Sequence, residues 1–434
     1  MKVLVVGAGG REHAIAWKAS RSPLVDEVLV APGNAGTAAE PKTRNVDVPA
    51  ADAEGLLALA RRESVALTIV GPEQPLAAGL VDRFEAAGLR CFGPTADAAR
   101  LEGSKAFAKA FLARHSIPTA DYASFDDYEA ALRHVRAQKP PIVIKADGLA
   151  AGKGVVVART AHEAEAALAA MLRDRAFGEA GSRVVVEEFL EGEEASFIAL
   201  VDGTRIVPLA SSQDHKTRDD GDRGPNTGGM GAYSPAPVVT PAVHRRIMDE
   251  VMTPAVEGLA ADGIRYRGFL YAGLMIDAAG APRVLEFNCR LGDPETQPIL
   301  FRLESDLVKL CLGAFDGTLG AEPVVWDPRA AIGVVMASAG YPGSYRKGLP
   351  ISGLDAANTE LTKVFHAGTR LADGRIVTDG GRVLCVVGLG NGVREARDRA
   401  YRAVSRIGWE GAFWRRDIAY RALAREAAAS SAGG

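Results

Sequence analysis

Short apolar runs alternate with helix-length amphipathic stretches in the N-terminal part of the chain. The runs predict strands at 3–6, 28–30, 67–70 and 90–92, separated by helices from Arg11, at 54–62 and at 75–87. Strands that alternate with helices are typical of a doubly wound parallel sheet. Ligands of such sheets bind beyond the carboxyl ends of the strands, so we expect a binding site there.

Glycine-rich loops follow these predicted strands. Gly9 and Gly10 open the first helix beside Arg11, and backbone amides at a helix start suit a phosphate group. A tight turn that needs glycine only for packing is the alternative. A dinucleotide site is disfavoured, because Glu12 stands where the third glycine of that pattern would be and no acidic residue ends the second strand.

A second alternation begins near Leu101 and places lysines beside another glycine-rich loop. Ser104 is a helix-capping residue type, so Lys105 falls in a first helical turn, where a cation opposes the helix dipole. Lys145 ends an apolar strand, and the run 148–154 separates it from the next strand. Such a loop can fold over a triphosphate, although it is not a Walker loop. A solvated hairpin with surface lysines is the alternative.

The apolar run 184–186 leads into an acidic segment that contains Glu187, Glu188 and Glu194. A strand that ends in such a segment can offer backbone groups to an adenine edge and a carboxylate to ribose hydroxyls. Acidic surface loops are also common, so this segment alone indicates no function. The glycine-rich stretch 211–235 follows, and its mixed charge is typical of an active-site cover or of a disordered segment.

Two apolar runs, 269–276 and 283–287, predict a strand pair that turns at Gly280. Glu286 and Asn288 stand two positions apart, which puts both side chains on one face of the second strand. A carboxylate beside an amide oxygen suits magnesium held jointly with nucleotide phosphates. An edge strand with solvated polar residues is the alternative.

The loop after this strand carries Arg290, Asp293 and Glu295 around a glycine and a proline. Loops at strand ends often carry function, and arginine pairs well with carboxylate and phosphate groups. We therefore predict that this loop holds an anionic substrate beside the metal.

Length and composition are those of a cytoplasmic protein with several domains. A chain of 434 residues is too long for one core, and a net charge of −3 with 47% hydrophobic residues gives no bias toward nucleic acid or membrane. The four cysteines lack metal-site or disulfide spacing, no signal peptide is evident, and no apolar run reaches the ~18 residues of a membrane span. From Trp326 the pattern predicts a last unit of strands and turns, in which we find no chemistry.

Five blocks of the sequence together resemble the phosphoribosylamine–glycine ligases, also called glycinamide ribonucleotide synthetases, of the ATP-grasp superfamily. The blocks are 9–13, 31–37, 145–154, 224–235 and 286–297. The resemblance implies an α/β protein with an α+β ATP-grasp core. The implied units are an N-terminal Rossmann-like domain of doubly wound parallel sheet at 1–102, a two-lobed ATP-grasp domain at 103–325 with a small lid lobe at about 121–190, and a small mixed α/β domain at 326–434.

The resemblance also implies a reaction. ATP phosphorylates the carboxylate of glycine, and the amine of 5-phospho-β-D-ribosylamine then displaces phosphate from glycyl phosphate, in the second step of purine synthesis. Magnesium or manganese accompanies ATP in this scheme. The implied protein is a cytoplasmic, single-function monomer that makes transient contact with the enzyme supplying phosphoribosylamine.

Individual roles follow from the same resemblance. The residues implied to bind ATP are Lys105, Lys145, Gly148, Gly152, Lys153, Gly154, Glu187, Glu188, Phe189, Leu190 and Glu194. The residues implied to contact phosphoribosylamine are Gly9, Gly10, Arg11, Glu12, Asn34 and Glu73. Asp214, Arg290 and Asp293 are implied near glycine or the acyl phosphate, with Lys145, Arg290 and Asp293 as catalytic residues and Glu286 and Asn288 as metal ligands. The strand 272–276 lacks the second metal carboxylate of many ATP-grasp enzymes, which leaves the number of metal ions open.

Three interpretations remain at this point. The first is the ligase itself. The second keeps the fold and changes the substrate to another carboxylate, or to bicarbonate, in a ligase or carboxylase of purine synthesis. The third is a non-catalytic ATP-binding module. Residue chemistry without the resemblance supports only a magnesium-dependent enzyme that acts on ATP.

Overall fold

A computed structural model describes residues 1–149 and 154–432, and its N-terminal unit is the predicted parallel sheet covered by helices. The elements of this unit are β1 (Lys2–Gly7), α1 (Gly10–Ser20), β2 (Glu27–Pro32), β3 (Thr43–Asn45), α2 (Ala53–Arg62), β4 (Leu67–Val70), α3 (Glu73–Ala77), α4 (Leu80–Ala86), β5 (Cys91–Phe92) and α5 (Ala96–Gly103). The strand order is β3-β2-β1-β4-β5, so the order reverses beside β1 and the loops after β1, β2 and β4 meet there. The helix predicted at 75–87 is instead split at Gly79, whose φ of +80° is left-handed.

The next unit is a small lobe built on an antiparallel sheet. Its elements are α6 (Lys105–Arg114), β6 (Tyr122–Phe125), α7 (Tyr128–Ala137), β7 (Ile142–Ala146), β8 (Val155–Ala158), α8 (Ala161–Leu168) and β9 (Val184–Glu188). The strand order is β6-β9-β7-β8. Strands β7 and β8 pair as a hairpin around the glycine-rich loop, and β9 lies on the other side of β7. Lys145 and Glu187 therefore come from neighbouring strands.

A second antiparallel sheet forms the large lobe. The elements from here to its last helix are β10 (Glu193–Val201), β11 (Ile206–Pro208), β12 (Gln213–Asp214), β13 (Thr217–Asp219), β14 (Arg223–Asn226), β15 (Gly231–Ser234), α9 (Pro241–Ile247), α10 (Thr253–Ala261), β16 (Gly268–Ile276), β17 (Pro282–Asn288), α11 (Thr296–Arg302) and α12 (Leu307–Asp316). The sheet order is β11-β10-β16-β17, and the paired strands predicted around Gly280 are β16 and β17. Strand β17 thus ends at the sheet edge that faces the other lobe's Lys145.

The C-terminal unit contains more of the chain than its sequence position suggests. Its own elements are β18 (Ala330–Ser338), α13 (Leu354–Ala357), β19 (Thr362–His366), β20 (Thr369–Ala372), β21 (Arg375–Thr378), β22 (Arg382–Gly390), α14 (Val393–Val404), β23 (Ala412–Phe413) and α15 (Tyr420–Ala432). The main sheet has the order β12-β15-β18-β22-β19, so β12 and β15 join it from the glycine-rich stretch. The glycine-rich stretch is therefore a set of short strands rather than one long loop. The local sequence does not show this, because the partner strand β18 lies about a hundred residues further along the chain.

One hydrophobic core joins three of the units, namely the N-terminal unit, the large lobe and the C-terminal unit. The ring of Phe92 from the first sheet lies edge-on to that of Phe269 in the large lobe, with ring centres 4.9 Å apart. Trp17 of α1 contacts Phe365 of the C-terminal unit in the same way, at 5.6 Å. All of these side chains are buried. Such packing fixes the loops of the three units relative to one another.

No helix among the described residues has the length and apolar character needed to cross a membrane. The cysteines Cys91, Cys289, Cys311 and Cys385 are all buried and free, which confirms that they serve as small buried side chains.

Candidate active site

The polar pair of β17 lies just past a bulge. Gly273 pairs with Glu286 and Leu274 with Val284, so Leu285 is an extra residue in β17. Glu286 and Asn288 both follow the bulge and share one face of the strand. Asn288 is 9% exposed and Glu286 is half-buried, so neither member of the pair is a solvated surface residue.

Cations surround Glu286. Burial alone would raise the pKa of this carboxyl, but Lys216, Lys145 and Lys105 together with Arg290 hold it below its usual value. Glu286 is therefore ionised at neutral pH. A carboxylate and an amide oxygen on one strand face are oxygen donors of the kind that a hard divalent cation takes, so this pair fits a metal that accompanies ATP.

Two lysines share one buried carboxylate in the small lobe. Lys145 Nζ lies 3.0 Å from Glu187 Oε1 and donates a hydrogen bond of 3.0 Å to the carbonyl of the bulge residue Leu285. Lys109 Nζ lies 2.9 Å from Glu187 Oε2, and burial lowers the pKa of Lys109 to about 8. Sequence reasoning missed Lys109, although its spacing of four residues from Lys105 puts both lysines on one face of α6.

Lys105 and the glycine-rich loop are joined through Asp147. Ser104 accepts a hydrogen bond from the N–H of Phe107, as predicted for a cap, and its hydroxyl donates to Asp147 Oδ1 over 3.0 Å. Lys105 Nζ donates to the carbonyl of Gly148 over 3.2 Å. Burial lowers the pKa of Lys105, with Glu286 opposing.

The rest of this loop is partly described. Gly148 N–H donates to Ala180 O over 3.1 Å, and a Cβ on Gly148 would lie 2.8 Å from Ala180 Cα, so glycine is needed for this approach. The carbonyl of Gly154 accepts a hydrogen bond from Ala146 at the base of the hairpin. The predicted ATP contacts of Gly152 and Lys153 lie outside the described residues.

The connection between the lobes carries the remaining predicted nucleotide residues. Glu188 is exposed and accepts a hydrogen bond from Arg283 over 2.9 Å, Phe189 is half-buried, and Leu190 is 7% exposed. Glu194 lies 2.9 Å from Lys216 Nζ. Burial would lower the pKa of Lys216, but neighbouring carboxylates raise it above its usual value. Glu194 thus joins the charges around Glu286, whereas Glu188 is paired on the surface.

Asp214 lies among other acids. Burial, together with Glu295, Glu194 and Glu286, raises the pKa of Asp214 to about 8 despite the opposing Lys216. Glu295 Oε1 accepts hydrogen bonds of 3.0 Å from both Ser196 and Tyr271. A cation or an ammonium group that comes near Asp214 would therefore lower the pKa of this carboxyl again.

Arg290 joins the nucleotide-side cluster to the N-terminal unit. Its guanidinium lies 2.9 Å from Glu102 Oε1 and 3.4 Å from Glu73 Oε2, and it donates to Asn288 Oδ1 over 3.1 Å. Burial would raise the pKa of Glu73, but Arg290 and Arg11 hold it below its usual value. Burial raises the pKa of Glu102. Sequence reasoning missed Glu102, whose place at the end of α5 gives no chemical signal.

Asp293 extends from the same loop to the N-terminal glycines. Gln297 donates to Asp293 Oδ1 over 2.8 Å, and a Cβ on Gly9 would lie 3.6 Å from Asp293 Oδ2. Arg382 of β22 donates to the Asp293 carbonyl over 2.7 Å. Burial would raise the pKa of Asp293, but Arg382 and Arg11 lower it. Sequence reasoning missed Arg382, because nothing near it in sequence marks it.

Glu12 shapes the first glycine loop. It is 2% exposed and accepts a hydrogen bond of 2.6 Å from Gly9 N–H and one from Arg11. A Cβ on Gly7 would lie 2.4 Å from Glu12 Cγ, and one on Gly71 would lie 2.1 Å from Glu12 Oε1. Glu12 therefore fills the space that these glycines leave, and its contact with a substrate stays a prediction.

The side chain of Asn34 is likewise bonded to backbone groups around it. Its Nδ2 donates to the carbonyls of Ala8 and His366, and its Oδ1 accepts from the N–H groups of Gly36 and Thr37. With the bond from the Asn34 N–H to Thr37 Oγ1, these four bonds tie the loop to itself and to its two neighbours. A direct contact of the Asn34 side chain with substrate also stays a prediction.

Two groups of predicted residues are therefore brought together. The first contains Lys105, Lys145, Glu187, Glu194, Asp214, Glu286 and Asn288. The second contains Gly9, Gly10, Arg11, Glu12, Asn34, Glu73 and Asp293. Arg290 contacts members of both groups. A nucleotide and a phosphorylated second substrate could thus react at the boundary between them.

Family models match nearly the whole chain. Residues 1–102 match the model described as the N domain of phosphoribosylglycinamide synthetase, and residues 103–296 match its ATP-grasp (A) domain. Residues 331–421 match its C domain.

Named relatives and solved structures resemble the chain over the same length. The phosphoribosylamine–glycine ligase of Allochromatium vinosum is 65% identical over 426 residues, which is 98% of this chain and 100% of the relative. A crystal structure of the Thermotoga maritima phosphoribosylamine–glycine ligase is 36% identical, with a TM-score of 0.82 over 96% of this chain and 100% of that one. The biotin carboxylase domain of Hydrogenobacter thermophilus 2-oxoglutarate carboxylase, solved with MgADP and bicarbonate, shares the fold at 18% identity, with a TM-score of 0.71 over 95% and 91% of the two chains.

Proposed function

We infer, from the premise that this chain belongs to the phosphoribosylglycinamide synthetase family, that it catalyses the ATP-dependent ligation of glycine to 5-phospho-β-D-ribosylamine. The products are the ribosylglycinamide phosphate, ADP and phosphate, formed through glycyl phosphate in the second step of purine synthesis. The observation that carries this inference is the match to relatives of that name along the whole chain. The biotin carboxylases, at 18% and 13% identity, support the fold alone.

We propose that Lys105, Lys145 and the loop from Gly148 to Gly154 hold the ATP phosphates. Their support is the convergence of these cations on the Glu286 face of β17. Phosphoryl transfer to glycine spreads negative charge over the moving group, and fixed cations stabilise that charge without reorganising. Glu187 and Glu188 with Leu190 would border the adenine, and Glu194 its ribose. Lys109 shares the Glu187 carboxylate with Lys145.

Glu286 and Asn288 would hold magnesium, with manganese as its substitute. The donor chemistry supports this choice, because both side chains offer oxygen from one strand face. A metal held by these two residues would neutralise negative charge on the phosphates. The family relation covers the use of ATP with a divalent metal, and the choice of Mg²⁺ or Mn²⁺ is our proposal.

Glycine and its acyl phosphate would lie beside Arg290 and Asp214. Arg290 is oriented by Glu102 and Glu73, so its guanidinium can face a carboxylate or phosphate in one geometry. Asp214 would meet the ammonium group of glycine, which would offset the crowding of carboxylates that raises its pKa. Asp293 would face the amine that attacks the acyl phosphate.

The phosphate of phosphoribosylamine would bind at the start of α1, beside Gly9, Gly10, Arg11 and the loop that contains Asn34. The positive end of the α1 dipole would attract such an anion. Glu12 would set the shape of this loop, and Glu73 would face the ribose. Arg290, which contacts both Asn288 and Glu73, would then lie between the two substrates.

We also propose that the enzyme is a cytoplasmic monomer. It would take the labile amine, by transient contact, from the enzyme that makes it. The units would be 1–102, 103–325 with its lid lobe at about 121–190, and 326–434, which the three matched ranges support.

The direct test is ADP release from ATP and magnesium, with phosphoribosylamine made in place from ribose 5-phosphate and ammonia. ADP release should require glycine and both components of the amine mixture. Samples without glycine, and samples with alanine or bicarbonate in its place, are the controls. Equal release in those controls would contradict the glycine assignment. Bound ATP without any release would favour a non-catalytic module.

A further inference from the structure

The C-terminal unit contacts the N-terminal glycine loops through a buried histidine. His13 of α1 is 1% exposed, and its ring lies edge-on to Phe365 of β19 at 5.5 Å. The backbone N–H of His366 donates to His13 Nδ1 over 2.7 Å. Because a backbone N–H can only donate, Nδ1 carries no proton, and the neutral ring holds its proton on Nε2.

The protonated nitrogen faces a carboxylate. His13 Nε2 lies 3.0 Å from Glu40 Oε1, and the same oxygen accepts a hydrogen bond from Lys363 of β19. Burial lowers the pKa of His13 below its usual value, so the ring stays neutral at physiological pH. His13 thus connects Glu40 of the N-terminal unit to the backbone of β19 in one fixed tautomer.

Asn34 makes a second connection to the same residue of β19. Its Nδ2 donates to His366 O over 2.9 Å and to Ala8 O over 2.8 Å. Both backbone polar groups of His366 are therefore bonded to N-terminal side chains. A Cβ on Gly36 would lie 2.4 Å from His13 Cε1, so the loop 31–37 packs directly on the imidazole. Neither glycine loop can shift without breaking hydrogen bonds that are shielded from water.

We propose that His13 is a positioning residue of the phosphoribosylamine site, fixing the loops 8–10 and 31–37 against the C-terminal unit. This inference rests on the proposed function, in which those loops form the site of the substrate phosphate. Loops that are ordered in advance bind an anion with a smaller entropy loss, and a displacement of about 1 Å is enough to weaken the binding. Strand β19 thereby contributes to the affinity for one substrate and not for ATP.

The test compares two substitutions of the same residue. His13→Leu removes both ring nitrogens, whereas His13→Asn keeps an acceptor near the place of Nδ1. We expect His13→Leu to raise KM for phosphoribosylamine at least about tenfold, with KM for ATP and glycine changed less than about twofold. His13→Asn should recover most of that loss. The amine concentration is varied through ribose 5-phosphate at fixed ammonia.

A milder variant keeps the test usable if the His13→Leu protein misfolds. Lys363→Met removes the second partner of Glu40, and the Lys363 side chain is 17% exposed, so the core stays intact. It should raise the same KM about twofold to threefold. Lys347→Met is the matched control, because Lys347 is an exposed lysine of the same unit and lies near Asp379 instead. It should leave all three KM values unchanged.

Two kinetic results would overturn the positioning role. One is an unchanged KM for phosphoribosylamine in His13→Leu. The other is an equal rise of all three KM values with a lower melting temperature, which indicates general destabilisation.

Binding of ribose 5-phosphate without ATP, measured by calorimetry, distinguishes a failure of this inference from a failure of the proposed function. If wild-type protein releases no ADP, the ligase assignment fails, whereas weaker ribose 5-phosphate binding in His13→Leu still supports the loop contact. Equal binding in both proteins overturns it.

Discussion

At the scale of single residues, the site depends on charges that are buried together. Glu187 is 3% exposed and lies between Lys145 and Lys109. Lys145 also holds the Leu285 carbonyl, which fixes the bulge that presents Glu286. One lysine therefore positions the metal-side carboxylate and adds positive charge where the phosphates would bind.

We predict that Lys145→Met lowers glycine-dependent ADP release by at least about 100-fold. Glu187 keeps Lys109 at 2.9 Å, so no buried charge is left alone and the free energy of unfolding should fall by less than about 3 kcal/mol. Initial rates and thermal unfolding check the two parts. Lys139→Met, at an exposed position of the same lobe, is the control and should match wild type. Wild-type turnover in Lys145→Met would refute the role.

Acid should destabilise the protein through His366. Burial lowers the pKa of its imidazole to about 3, against about 6.5 in an unfolded chain. The unfolded state therefore binds more protons below pH 6.5, so the stabilisation is complete above that pH and is lost as pH falls toward 3. Between pH 7.5 and pH 5 this side chain should cost about 2 kcal/mol of stability.

The measurement is the thermal unfolding midpoint at these two pH values in wild type and in His366→Asn. The variant should lose less stability than wild type between pH 7.5 and pH 5, because it has no imidazole to protonate. Equal losses in both proteins would show that His366 does not contribute to acid sensitivity.

At the scale of elements, the turns after β1 and β4 are shaped around one side chain. Glu12 of α1 fills the space beside Gly7 and Gly71, and it bonds to Gly9 N–H. Gly71→Ala would place a Cβ 2.1 Å from Glu12 Oε1, and such overpacking typically costs about 1–3 kcal/mol. We therefore expect a lower melting temperature and a higher KM for phosphoribosylamine, since the loop shifts with Glu12.

Gly103→Ala is the matched control for this substitution. A Cβ at Gly103 would meet nothing within 4 Å, so its melting temperature should equal or exceed that of wild type. If Gly71→Ala has the same melting temperature as the control, the space around Glu12 accommodates the added Cβ and the prediction is wrong.

At the scale of the whole molecule, the C-terminal sheet is built from two distant parts of the chain. Strand β15 pairs with β18 through Gly231–Ser234 and Ala331–Val334, and Tyr233 is 1% exposed between them. A chain that ends at Arg329 would leave β15 paired with β12 alone, with its other edge unpaired and Tyr233 uncovered. Unpaired strand edges with exposed apolar surface favour aggregation.

We predict that residues 1–329 alone form an insoluble or aggregated product, although sequence pattern places a boundary near residue 326. Solubility and size-exclusion chromatography of this fragment test the prediction. Expression together with residues 330–434 as a separate chain is the control, and it should restore a soluble complex that binds ATP. A soluble, ATP-binding fragment without that partner would contradict the prediction.

The sequence by itself determined the class of the fold and the chemical character of the site. Strand and helix periods are local, so β1, β4, β7 and β17 could be predicted from runs of apolar residues. The placement of Glu286 and Asn288 on one strand face, and of lysines beside a glycine loop, could be predicted because strand alternation and loop composition are also local. The roles assigned to single residues came from resemblance to a family, since spacing alone gives no ligand.

Only the tertiary structure decided which distant residues meet. The contacts of Glu102 with Arg290, of Arg382 with Asp293 and of His366 with Asn34 join positions separated by 188, 89 and 332 residues. No periodicity or composition marks such partners, because their meeting depends on packing of the three units around one core. For the same reason β15 could not be predicted. This short strand is stabilised by pairing with β18 rather than by its own sequence.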